Sequence, residues 1–145
     1  MLKWALVLAC AATAYAAEPV AGKWLLKSQQ VNGRDTTSPP LTLRITPTGE
    51  ALEFEYSTAA DQVRFTARLD GSPAEVSGSR GKKMGTARVT RRSPDEYRVT
   101  LEGPNRPTSN GKLTVSAGGK KLTSESDALA PGGQRLHTVQ VFERQ

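Results

Sequence analysis

His137 is the single histidine of this 145-residue chain. With Ser124, Ser126 and Asp127 it holds the residue types of a nucleophile, a base and a carboxylate that orients the base. Acyl transfer by such a trio needs the hydroxyl within hydrogen-bond reach of the imidazole. No Gly-x-Ser-x-Gly turn presents either serine, and a serine on an alternating strand reads as an outward polar position. One histidine and one cysteine, Cys10, cannot make a histidine-based metal cluster. Only a haem with a single axial ligand would leave His137 a metal role. Glu53 and Glu55 could pair as hydrolytic carboxylates, but they alternate with Leu52, Phe54 and Tyr56 and read instead as solvent-facing partners of Arg64 and Arg68. Gly78-Ser79-Arg80-Gly81-Lys82-Lys83 lacks the Walker spacing and a following helix. Arg80, Lys82 and Lys83 are therefore read as an exposed basic loop suited to an acidic partner. No catalytic residue, metal or cofactor is expected, and the chain reads as a non-enzyme.

The elements that hold these side chains are strands. From Leu41 the dominant period is two, the mark of half-buried strands. Leu41, Leu43 and Ile45 form one apolar row, Leu52, Phe54 and Tyr56 a second, and Val63, Phe65, Ala67 and Leu69 a third. A hairpin closing around Ala59-Ala60 sets Phe54 opposite Phe65 and Tyr56 opposite Val63, with Glu55 opposite Arg64 on the other face. Each such cross-strand pair stabilises a sheet by roughly 0.2–1 kcal/mol. A one-residue slip would bury the charges, so the register is well specified. Ala87 with Val89, then Tyr97, Val99 and Leu101, then Leu113 with Val115 continue the rhythm. Gly118-Gly119 is a hairpin turn that sets Val115 opposite Leu122. A last strand runs from about Arg135 to Glu143. The first runs from Gly22 to about Gln29 and ends at Asn32-Gly33, and a short one lies around Ala74 to Ser77. Residues 34–40, 78–83 and 103–111 read as loops. The expected fold is all-β, an antiparallel up-and-down barrel of about 8–10 strands, because consecutive hairpins make a meander and closure removes its edges. A two-sheet sandwich is the alternative.

The beginning of the chain bears on location. Lys3 precedes an apolar run, Trp4 to Ala12, and Ala14-Tyr15-Ala16 is a small-x-small cleavage site. The run is shorter than the ~20 residues of a membrane span. Residues 1–16 are therefore expected to be a signal peptide and residues 17–145 a single domain, secreted or periplasmic, with no later transmembrane segment. Val7-Leu8-Ala9-Cys10 is a loose lipobox, which leaves lipidation at Cys10 as a second reading. The whole chain carries 20 Lys and Arg against 14 Asp and Glu, a net charge of +6. Export and the lack of aromatics interleaved with the basic residues argue against nucleic acid.

Gly22-Lys23-Trp24 resembles the opening of the lipocalin-like, or calycin-type, barrels. Phe65-Thr66-Ala67-Arg68-Leu69-Asp70-Gly71, Gly119-Lys120-Lys121-Leu122-Thr123 and the ending Val141-Phe142-Glu143-Arg144-Gln145 are similar to segments of small secreted bacterial proteins of this type whose function is not established. The resemblance implies that Trp24 plugs one end of the barrel with Arg144 packed over its indole, a cation–π contact of roughly 0.5–2 kcal/mol.

Two functions are expected from this reading. A barrel of about eight strands can hold one small hydrophobic ligand. Phe54, Tyr56, Phe65, Val89, Tyr97, Val99 and Leu113 would then touch it, with the Tyr56 and Tyr97 hydroxyls orienting it. The alternative is a surface-acting interaction or inhibitor protein of the cell envelope with a filled core. It would meet an envelope protein or anionic surface through Arg80, Lys82 and Lys83, joined by Arg88, Arg91 and Arg92.

Overall fold

Alternation of apolar and polar side chains is realised as an antiparallel meander. The computed structural model describes residues 18–104 and 106–145. The leader expected over residues 1–16, its cleavage site and Cys10 lie outside them. The strands are β1 (Gly22–Val31), β2 (Arg34–Asp35), β3 (Thr42–Thr48), β4 (Ala51–Ser57), β5 (Gln62–Arg68), β6 (Ala74–Ser77), β7 (Lys83–Ser93), β8 (Glu96–Gly103), β9 (Arg106–Val115), β10 (Lys121–Leu129) and β11 (Arg135–Arg144). From β3 onward each strand pairs with the next, and β11 returns to pair with β1 along almost its whole length. This closes a ten-stranded antiparallel barrel, with the two-residue β2 attached at one edge. The sandwich alternative is thereby set aside.

The register follows the apolar rows. Phe54 faces Phe65, Tyr56 faces Val63 and Glu55 faces Arg64. The Phe54 and Phe65 rings stack with centroids 4.8 Å apart. Outside, Arg64 Nε lies 3.8 Å from Glu55 Oε2. Glu53 lies between Thr46 and Thr66 rather than beside Arg68. Val115 is opposite Leu122 across the Gly118-Gly119 turn.

One segment departs from expectation. Residues 103–111 are not a loop, because β9 begins at Arg106 and pairs with β8 and β10. Its inward residues there are Ser109 and Gly111, which carry no apolar signal. Backbone pairing on both edges makes the strand all the same.

The interior has two halves. Around Trp24 it is filled by Leu43, Ile45, Leu52, Phe54, Ala67, Ala87, Val89, Tyr97, Val115, Leu122 and Phe142, all fully or almost fully buried. Val20, in the turn before β1, is buried with them and accepts a hydrogen bond at its carbonyl from Trp24 Nε1 at 2.9 Å. The Arg144 guanidinium lies over the indole, its Cζ 4.3 Å from the ring centroid. It also donates to the carbonyls of Gly119 (2.7 Å), Ala21 (2.6 Å) and Pro19. The preceding segment is held down by Glu18, whose carboxylate accepts from Arg91 Nη1 at 3.0 Å and from the Tyr97 hydroxyl. Arg91 therefore does not join Arg88 and Arg92 in a surface cluster. It follows Val89 in the inward row and turns to the sealed end of the barrel.

Candidate functional site

The other half of the interior is hollow. A cavity of about 330 Å³ lies toward the barrel end remote from Trp24. Its size is at the lower end of the range of small-molecule pockets, about 300–1,000 Å³. Neighbouring strands build it by the same alternation that packs the other end. Leu41, Tyr56, Val63 and Phe65 come from the β3–β5 side, Val76 and Met84 from β6 and β7, and Val99 and Leu101 from β8. Ser109, Gly111 and Leu113 come from β9, Ser124 and Ser126 from β10, and Gln140 from β11. Lys112 also borders the cavity, but it alternates outward and pairs with Arg98 and Glu125.

Of the seven residues expected to meet a ligand, Tyr56, Phe65, Val99 and Leu113 stand on the cavity wall. Phe54, Val89 and Tyr97 point into the barrel too, but they belong to the packed layer beneath. The reason is height along the strand: each lies two residues closer to the sealed end than a cavity residue on its own strand or its neighbour. Tyr97 gives its hydroxyl to Glu18, so it is not free to orient anything in the cavity. Burial, followed by that carboxylate, raises its phenol well above the ordinary tyrosine value.

Tyr56 differs. Its ring faces the cavity 6.4 Å from Phe65, and its hydroxyl makes no hydrogen bond among the described residues. Burial pushes its phenol up to about 12, so at neutral pH it is an uncharged donor.

Ser124 and Ser126 correct an expectation. They are inward, since Leu122 of the same row is fully buried and Ser124 and Ser126 line the cavity. Asp127 and His137 face each other across β10 and β11 on the outside, with Nδ1 and Oδ1 2.9 Å apart and both side chains about half exposed. The barrel wall thus separates both serines from the imidazole, and no nucleophile meets that pair. Ser109, Gly111 and Gln140 were also not singled out from sequence. The signal was parity: Phe142-x-Gln140, Leu122-x-Ser124-x-Ser126 and Leu113-x-Gly111-x-Ser109 are single rows that change from apolar to polar.

Arg80, Lys82 and Lys83 are exposed in and beside a short 3₁₀ turn, Ser79–Gly81. The turn is tied to β5, with the Ser79 hydroxyl donating to Asp61 Oδ1 at 2.6 Å and accepting from the Gln62 amide at 3.1 Å. The Ser79 hydrogen bond holds the Asp61 carboxyl below the usual carboxylate range. Lys83 Nζ is 3.8 Å from Glu75. Among the described residues, no three His, Cys, Asp or Glu side chains cluster as metal ligands would, and no helix is long and apolar enough to cross a membrane.

The barrel has a lipocalin-like fold. It superposes on the zebrafish ileal bile-acid-binding protein complexed with cholic acid, with a TM-score of 0.61 and 19% identity over 88% of this chain and 99% of that one. Fatty-acid-binding protein 1 of Echinococcus granulosus gives a TM-score of 0.67 at 11% identity, covering 88% of this chain and 98% of that one. Lipid-binding protein 8 of Caenorhabditis elegans gives 0.65 at 12%, covering 88% and 96%. These are binding proteins by name, and at such identities the likeness is one of fold. No family model and no curated protein matches the sequence.

Proposed function

We propose that this protein is a secreted or periplasmic carrier that holds one small hydrophobic ligand inside its barrel. The observation that carries the reading is the half-hollow interior. The Trp24 end is filled by fully or almost fully buried side chains, whereas the far half leaves about 330 Å³ between mainly apolar side chains. A barrel that served only as a scaffold would gain by filling that space, since unfilled apolar volume lowers stability. Export, expected from the sequence, would suit the reading, because a carrier of poorly soluble molecules acts where they must cross water. The leader over residues 1–16 would provide the export. The fold neighbours named for bile-acid, fatty-acid and lipid binding support it as well. Burial of ligand apolar surface would supply most of the affinity, at about 25 cal/mol per Å² before the costs of association.

The test uses residues 17–145 and an uncharged environment-sensitive dye such as N-phenyl-1-naphthylamine. Saturable one-to-one binding is expected. Leu101→Trp, which places an indole in the cavity, should abolish binding while the circular dichroism spectrum stays that of a β-barrel. Binding that survives the filled cavity would place the dye elsewhere and refute the reading.

A further inference from the structure

The cavity wall is chemically two-sided. On one side, Phe65, Met84, Leu101 and the Tyr56 ring present apolar surface, with the Tyr56 hydroxyl as an uncharged donor among them. On the other, Ser109, Ser124, Ser126 and Gln140 project from β9, β10 and β11. These three strands are consecutive neighbours in the sheet, and the polar residues occupy adjacent inward positions, with Ser124 directly opposite Gln140. Gln140 is held in place by donating from Nε2 to Gln29 Oε1 at 2.8 Å, which leaves its own carbonyl oxygen and a second N–H to spend. The three serine hydroxyls make no side-chain hydrogen bond among the described residues.

Among the described residues, the same wall carries no arginine, histidine, aspartate or glutamate. Lys112 reaches it only from an outward position between Arg98 and Glu125. A carboxylate entering this space would lose its hydration without gaining a counter-charge, which is strongly unfavourable. A hydroxyl or amide would exchange water for serine and glutamine partners at little net loss. Resting on the carrier reading, we infer that the ligand is an uncharged amphiphile with hydroxyl groups along one side of an alkyl body, a monoacylglycerol being the simplest example. Its alkyl body would lie against Phe65 and Leu101, and its hydroxyls against Ser124, Ser126 and Gln140.

The experiment compares three probes with the same twelve-carbon chain, each below its solubility or micellar limit, by displacement of the neutral dye from residues 17–145 at pH 8. The probes are 1-monolaurin, 1-dodecanol and laurate. Monolaurin should bind tightest and laurate at least about tenfold more weakly, because its carboxylate is desolvated without a counter-charge. In the Ser124→Ala, Ser126→Ala double variant, monolaurin should weaken about tenfold while dodecanol changes much less. Laurate binding as tightly as monolaurin would overturn the inference and leave the carrier standing. Its loss in Lys112→Gln would then assign the missing charge to the rim. Equal monolaurin affinity in the double variant would also overturn it. Failure of the dye and all three probes to bind would remove the carrier reading itself.

Discussion

Gly22 shows how much one side chain, or its lack, can decide. Its φ is +135°, and a Cβ built on it would lie 2.5 Å from Arg144 Nη1. The Gly-x-Trp opening is thus explained by the guanidinium that occupies the space beside it and covers Trp24. Gly22→Ala should lower unfolding free energy by about 1–3 kcal/mol, read as an earlier urea midpoint, through backbone strain and displacement of Arg144. Arg144→Lys should also destabilise, because an ammonium cannot stack on the indole and reach three carbonyls at once. The tyrosines offer a second measurement. Tyr56 and Tyr97 are both shifted upward, chiefly by burial, Tyr56 to about 12. The unfolded chain ionises near 10. Stability from keeping these phenols neutral is therefore complete below about pH 10 and declines as pH rises toward 12. In residues 17–145, phenolate absorbance at 295 nm should be delayed past pH 10 and appear together with loss of near-ultraviolet dichroism. Titration near pH 10 in a still-folded protein would contradict the burial of both rings.

The pairing of β4 with β5 separates two roles that look alike in sequence. Phe54 and Phe65 are cross-strand partners with stacked rings, yet Phe54 belongs to the packed layer and Phe65 also lines the cavity. Both substitutions to alanine should cost about 3–5 kcal/mol. Only Phe65→Ala should also weaken dye binding per folded molecule, and equal losses of affinity in both variants would erase the distinction. The neighbouring seam is much thinner. β5 meets β6 through a single registered pair, Arg64 opposite Ser77, and the segment between β5 and β6 bridges directly to β7 at Asp70 and Thr90. Local opening follows the density of pairing. Amide hydrogens of β6 should therefore exchange well before those of β4, measurable by hydrogen–deuterium exchange. The β3–β4–β5 meander was legible because three apolar rows and their outward charges agree on one register. The start of β9 was not, because a strand whose inner face borders a hollow needs no bulky side chains, and Ser109 and Gly111 read as loop.

Charge and hollow space are segregated in this barrel. The chain is basic, at +6 over its full length, but its ion pairs lie on exposed or partly exposed positions, such as Arg88 with Glu102 and Lys27 with Glu143. Surface charges are screened within about 10 Å at 0.1 M salt, whereas burial of an uncharged ligand in an apolar cavity is not. Raising salt from 0.05 to 0.5 M should leave the neutral dye's affinity within about twofold. A steep salt dependence would move binding to the basic outer face. Composition and alternation by themselves determined that the chain is all-β, that its strands run antiparallel in sequence order, and which face of β3, β4, β5 and β8 turns inward. Periodicity records the two faces of a strand, and short turns leave neighbours little choice of partner. Tertiary structure alone decided that β11 returns to β1, that one half of the interior is filled and the other open, and that Ser124, Ser126 and Gln140 face that space instead of water. Those outcomes depend on how far along the barrel axis each residue sits once the strands have tilted and closed, and no local pattern in the chain encodes that height.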